Sequence, residues 1–205
     1  MKHLFIENSF KLINKHKKLD HYNQVKIKYG LEVMYHFITK LIVVIIISLL
    51  LHILLENLVF FLFYGLLRMF SYGVHAKTNI GCWVISLSTY IFTGLVIKYM
   101  DITNLFPLLI LMSLLIIYYS PADTSSKPII SKDLRRKLKI IVTLILAIYI
   151  LMYLIIKISL FKDAIILSVL LQLIMVNPVT YLMFKRTYNN YMNYCKNKWL
   201  IDHLL

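Results

Sequence analysis

The stretch RMFSYGVHAKTNIGCW, residues 68–83, holds a thiol and an imidazole, Cys82 and His75, with Arg68 and Lys77 beside them. A thiol is a poor nucleophile until it becomes a thiolate. A neighbouring imidazole can take its proton and later return it to a leaving group. A nearby cation or a helix N-terminus favours the thiolate further, and Cys82 falls where an apolar segment begins. The alternative is a small apolar thiol beside an interfacial histidine, with no chemistry between them. Spacing sets a condition on the reactive reading. On one continuous helix, residues seven apart share a face but lie about 10 Å apart along the axis, beyond hydrogen-bond reach. The chain must therefore fold back between them, or a helix must begin close to Cys82. Gly73 and Gly81 flank the pair and give the backbone that freedom.

Other side chains fit around this pair. Arg68 and Lys77 could bind an acidic peptide or stabilise an oxyanion; equally, they could snorkel to lipid headgroups. Ser86 lies one helical turn past Cys82 and could orient His75, or simply bond the carbonyl four residues back. Lys127 and the run Arg135–Lys137 form a second basic group that could hold acidic substrate. Cys195 sits in a polar tail and is expected to be bland. The two cysteines make neither a CxxC pair nor a disulfide scaffold, so no metal and no other cofactor is expected.

The segments that must position these residues are apolar. Of 205 residues, 60% are hydrophobic and 16% charged, with a mean hydropathy of +0.75. A soluble domain carries about 25% charged residues, and a disordered chain lacks this apolar content. The apolar blocks are of the length needed to cross a hydrocarbon core about 30 Å thick. The fold class expected is all-α: a polytopic helical membrane bundle forming one unit over residues 1–205.

Residues 1–30, with seven lysines among Leu4, Phe5, Phe10, Leu12 and Ile13, read as a basic amphipathic segment on a membrane surface, or as a solvated helical tail. Residues 31–184 hold the spans, and 185–205 form a polar tail. The apolar run from Leu31 to Met69 is too long for one crossing and predicts a helical hairpin turning near His52–Asn57. Its spans would be 34–51 and 55–70, followed by 83–99, 104–119, 140–160 and 164–184. The last should kink at Asn177-Pro178. No cleavable signal segment is expected at the N-terminus.

The charge of +14 would suggest nucleic acid for a soluble protein. Here the basic residues gather beside apolar blocks and point instead to anionic lipid and to topology. Eight lysines lie in residues 1–40, six Lys and Arg in 120–139, and four in the tail through Lys198. The breaks near 98–103 and 157–163 hold only Lys98, Lys157 and Lys162, with Asp101 and Asp163 close by. Basic loops stay in the cytoplasm. Six spans put all three basic regions inside, together with the 70–82 connection; five spans would expose residues 120–139.

The pattern Arg68-x4-Gly73-x-His75-Ala76-x5-Cys82-x3-Ser86 resembles the accessory gene regulator B family. So do the loop Ser120-Pro121-Ala122 through Lys127-Pro128, the basic N-terminal segment and the order of spans. The resemblance implies a bacterial, multi-pass cell-membrane cysteine endopeptidase with a His75–Cys82 dyad facing the cytoplasm. It implies a quorum-sensing propeptide as substrate, with an amphipathic N-terminus and an acidic C-terminal tail. The C-terminal part is removed through an acyl thioester on the cysteine, and the remainder cyclises to a thiolactone or lactone. Arg68, Gly73, Lys77, Ser86 and Lys127 are then the auxiliary or substrate-binding positions. A homodimer is compatible with this reading, and no nucleic-acid partner is expected. Two other classes fit six spans, a small peptide transporter and a non-catalytic membrane scaffold. Against transport, the chain shows neither an internal repeat nor paired broken helices.

Overall fold

Helices carry most of the residues that the structure, a computed structural model, describes: 2–16, 20–76, 78–124, 129, 131–188 and 190–191. In chain order they are α1 (Lys2–His16), α2 (His21–Leu50), α3 (Leu54–Ser71), α4 (Asn79–Tyr99), α5 (Phe106–Tyr119), α6 (Lys132–Ile155), α7 (Ser159–Val176) and the short α8 (Pro178–Met183). Five of these are long and apolar enough to cross a membrane: α2 from Asn23, α3, α4 from Ile80, α6 and α7. The sixth apolar helix, α5, has 14 residues, about 21 Å of rise. The protein is an all-α polytopic membrane bundle, as composition implied. The chain forms two units, Met1–His52 and Ile53–Leu205.

In the first unit α1 packs on α2 through rings and one cation. Phe5 meets Tyr35 at 5.5 Å between centroids, and the Lys28 ammonium lies 4.7 Å from the Phe10 ring. The surface segment expected over residues 1–30 is thus two elements, α1 and the first turns of α2. Gly30 does not break α2, since one glycine costs only about 1 kcal/mol against alanine and nothing else in residues 21–40 interrupts a helix. The turn after α2 is short, with His52 at φ 55°. It closes by Ile53, so Glu56 falls in the first turn of α3, where a carboxylate favours the helix dipole.

The second unit is built around α7, which packs against α3, α4, α5 and α6. Phe60, Phe63 and Leu67 of α3, Leu109 and Ile116 of α5, Val142, Leu146 and Tyr149 of α6, and Ile165 and Val169 of α7 form its buried core. The Tyr149 hydroxyl donates to the Phe63 carbonyl at 2.6 Å, satisfying a polar group that burial would otherwise penalise. On the outer faces Leu62, Leu66, Phe92, Leu144, Ile148 and Leu151 are exposed. In a membrane protein such side chains meet lipid.

Of the boundaries that differ from the sequence expectation, three have a clear local reason. The basic break at 120–139 ends at Ser131, whose hydroxyl accepts from the Leu134 amide at 3.3 Å and caps α6. Arg135, Arg136, Lys137 and Lys139 are therefore helical, as good helix formers allow. The break expected at 157–163 ends at Ile158, so Lys162 and the buried Asp163 lie inside α7. At Asn177-Pro178 the helix stops and restarts: Asn177 Oδ1 accepts from the Val179 amide at 2.9 Å, and Pro178 opens α8.

Candidate active site

Between α3 and α4 the chain leaves helical geometry at Tyr72 (φ 60°) and Gly73 (φ 127°). Glycine is suited to the second of these for two reasons. A side chain rarely adopts that φ. A Cβ there would also collide with the Arg68 guanidinium and approach the Met175 carbonyl oxygen to 2.8 Å. The segment is tied on all sides by backbone and side-chain bonds. The Gly73 amide donates to the Ala122 carbonyl at 2.9 Å, the Val74 amide to Met175 at 2.9 Å, and the Ala122 amide to Ser71 at 3.1 Å. A parallel bridge joins Tyr72 and Ala122.

Arg68 folds down onto this loop from the last turn of α3. Its Nη1 donates to the Tyr72 carbonyl at 2.8 Å and its Nη2 to the Val74 carbonyl at 2.5 Å. These two bonds commit the guanidinium to shaping the loop. The buried Gln172 of α7 adds a second clamp, its Nε2 donating to Ser71 Oγ at 2.5 Å and to the Tyr72 carbonyl at 2.7 Å. No local pattern marks Gln172, which lies 100 residues along the chain from Tyr72.

His75 follows this clamped stretch and is exposed. The helix condition set by the spacing is met. α4 begins only at Asn79, so the stretch between His75 and Cys82 is not a continuous helix. Thr78 caps it, its hydroxyl accepting from the Gly81 amide at 3.1 Å. Cys82 lies half-buried in the first turn of α4, the end where unpaired amides and the dipole stabilise negative charge. Gly81 is helical and supplies space rather than backbone freedom. A Cβ there would come within 3.0 Å of the Thr78 hydroxyl and 3.5 Å of the Ala76 Cβ. Ser86 Oγ donates to the Cys82 carbonyl at 2.7 Å, the local back-bond that serine commonly makes in helices. Lys77, Lys127 and Cys195 lie outside the described residues.

The loop after α5 forms the other wall. Asp123 is fully buried. Its Oδ2 accepts from the Ile129 amide at 3.2 Å and from Arg135 Nη1 at 3.1 Å. Its Oδ1 accepts from the Asn190 amide at 3.1 Å. Arg135 Nη2 donates to the Pro121 carbonyl at 3.3 Å. Arg135 therefore serves the loop's own structure, which removes it from the basic group expected to hold substrate. The residues after α8 close the arrangement. The Tyr188 hydroxyl donates to the Tyr119 carbonyl at 3.2 Å, and burial first, then the nearby Tyr119, raises its phenol above the usual range. Arg186 Nη2 reaches the Ala76 carbonyl at 3.4 Å.

The ends of α3, α5 and α7 and the starts of α4 and α6 thus meet at one end of the second unit. Arg68, Arg135 and Arg186 gather there, and only Arg135 has a carboxylate partner among the described residues. Together these features define a class: a polytopic helical membrane protein with a thiol and an imidazole at one end of its bundle. A family model for accessory gene regulator B matches residues 6–176, and the chain belongs to this quorum-sensing family. An AgrB-like protein of Clostridium acetobutylicum is 32% identical over 184 residues, 89% of this chain and 88% of the relative. An AgrB-like protein of Listeria innocua is 35% identical over 191 residues, 89% and 91% of the two chains. The accessory gene regulator protein B of Staphylococcus carnosus is 34% identical over 130 residues, 62% and 68%. No solved structure matches the chain significantly.

Proposed function

We propose that the protein is a membrane cysteine endopeptidase that cuts a short quorum-sensing propeptide and promotes cyclisation of the part it keeps. The observation that carries this reading is the placing of Cys82 in the capped first turn of α4, just after the clamped loop that presents His75. Family membership supports it. The basic loops argue for a cytoplasmic site, in a bilayer whose anionic lipids they contact.

In the first step His75 takes the thiol proton and Cys82 Sγ attacks the scissile carbonyl carbon. The C–N bond breaks, the proton passes to the leaving amine, and a Cys82 thioester remains. An internal thiol or hydroxyl of the bound peptide then attacks the thioester carbon. The C–S bond breaks, the nucleophile's proton returns to Cys82, and a thiolactone or lactone is released. The thioester conserves the activation that hydrolysis would discard, so ring closure needs no separate energy source. Water must be kept from that intermediate, and the apolar surroundings of a membrane edge help.

The substrate on this reading has an amphipathic N-terminus that lies on the membrane and an acidic C-terminal portion drawn to the basic end of the bundle. Arg68, already bonded to two carbonyls, acts by holding the loop. Lys77 and Lys127 are the proposed substrate cations, and Ser86 steadies the first turns of α4.

Detergent-purified protein tests the reading with a propeptide whose internal nucleophile is replaced by alanine. A hydroxylamine-sensitive acyl adduct should form in Cys195→Ser and be absent from Cys82→Ser and Cys82→Ala. An adduct on Cys195, or cleavage by Cys82→Ala, would sink it. Cleavage without a sealed membrane also separates an enzyme from a transporter.

A further inference from the structure

The residues after α8 lie beyond the region matched by the family model, which ends at 176, yet they are bonded to every wall of the site. Arg186 donates to the Ala76 carbonyl, directly after His75. Its own amide donates to the Tyr181 carbonyl at 2.8 Å. Two residues on, the Tyr188 hydroxyl bonds Tyr119 at the end of α5. Asn190 donates to the buried Asp123, and Tyr191 lies under the Arg135 guanidinium at 5.1 Å. Tyr181 anchors the start of the strap, its hydroxyl donating to the Ala122 carbonyl at 2.8 Å. The segment is therefore fastened to the 120s loop at both ends, with Arg186 between them reaching the histidine-bearing loop.

The position of that contact matters. Arg68, Gln172 and the backbone bonds clamp the loop up to Val74, and Thr78 caps α4. Between these fixed points His75 is exposed, and Arg186 reaches the backbone directly after it. Among the described residues the buried Nε of Arg186 has no partner and no carboxylate pairs with its guanidinium.

We propose that Arg186 is a positioning residue for His75, holding the Ala76 carbonyl through a strap whose far end is latched on Asp123. The inference rests on the reading of His75 as the partner of Cys82. It assigns to the tail a part in that pair, exerted through the histidine and not by contact with the thiol or the substrate.

The test uses full-length protein in vesicles of phosphatidylethanolamine and phosphatidylglycerol, with Cys195→Ser as the parent so that Cys82 is the remaining thiol. The probe is iodoacetamide, and the rate of Cys82 alkylation is compared among variants. His75→Ala should slow it. Arg186→Gln should slow it by about tenfold, less than the 10²–10⁴-fold a general base supplies because the histidine is misplaced and not removed. Arg186→Lys should keep most of the parent rate, because its longer stem carries a donor nearer the Ala76 carbonyl than the glutamine stem does. The double variant His75→Ala/Arg186→Gln should react no more slowly than His75→Ala alone, because the arginine acts through the histidine. An Arg186→Gln rate equal to the parent, with His75→Ala slow, would overturn the positioning role and leave the dyad standing. Additive losses in the double variant, or no rescue by lysine, would also overturn it, pointing to a direct charge effect or general damage. A His75→Ala rate equal to the parent would overturn the dyad and this inference together.

Discussion

Asp123 and Arg135, twelve residues apart, meet as an ion pair of 3.1 Å with the carboxylate wholly buried. The pair joins the 120s loop to the first turn of α6, and the same carboxylate accepts from the tail at Asn190. Breaking a buried pair by removing one partner leaves an uncompensated charge and costs about 3–5 kcal/mol. Arg135→Gln should therefore lower the thermal unfolding midpoint in detergent strongly. Asp123→Asn/Arg135→Gln should recover part of that loss, since neither charge is stranded. Equal midpoints for Arg135→Gln and the double variant would show that losing Arg135 strands no costly charge on Asp123.

Gly73→Ala tests the loop geometry. Its φ of 127° is rarely open to alanine, at a cost of about 1–3 kcal/mol, and the new Cβ would push on Arg68 and the Met175 carbonyl. Peptide cleavage should fall sharply while the helical content by circular dichroism stays. Gly81→Ala should be milder, because there a Cβ only crowds the Thr78 cap. The reverse order of effects would mean that the cap, and not the Arg68 clamp, sets the loop.

Arg68→Lys separates holding the loop from binding substrate. One ammonium cannot reproduce two bonds to the Tyr72 and Val74 carbonyls made by a planar fork. Turnover should drop with KM little changed. A rise in KM at constant turnover would instead mark Arg68 as a substrate contact.

Asp101 gives a prediction at the opposite end. The Thr103 hydroxyl and backbone amide both donate to its carboxylate, at 2.7 and 3.1 Å, and hold it below its usual range. A lowered folded value contributes stability above the unfolded value, about 4, and that contribution is lost as pH falls through the folded one. The difference in unfolding midpoint between the parent and Asp101→Asn should therefore be larger at neutral pH than near pH 3, about a unit below the free carboxyl value. A difference that does not change with pH would remove the carboxylate from the account.

Topology is tested by reporter fusions after residues 75, 130 and 190, all expected cytoplasmic, and near 101, expected external. The first three positions fall in or beside the segments that meet at one end of the second unit. A fusion at 75 that scored external while 130 scored cytoplasmic would contradict that common end.

Apolar runs, basic breaks and the His75–Cys82 spacing were legible because each is local in the chain. A bilayer selects segments by length and hydropathy alone, and a thiol near an imidazole is visible whatever surrounds it. The errors of boundary arose where a charged residue fits both helix and loop. Arg135 and Lys162 counted as loop by charge, yet Ser131 capped one helix early and Asp163 was drawn into the buried face of another. The contacts of Arg68 and Asp123, the clamp from Gln172 and the strap through Arg186 could not be read from any window of sequence. They join residues up to 110 positions apart, and each bond exists only because the packing of α3, α5 and α7 brings loop ends together. Sequence determined that a thiol, an imidazole and several cations would stand at the edge of a membrane bundle. Tertiary structure decided which of the described cations are committed to backbone carbonyls, because a hydrogen bond requires approach within about 3 Å.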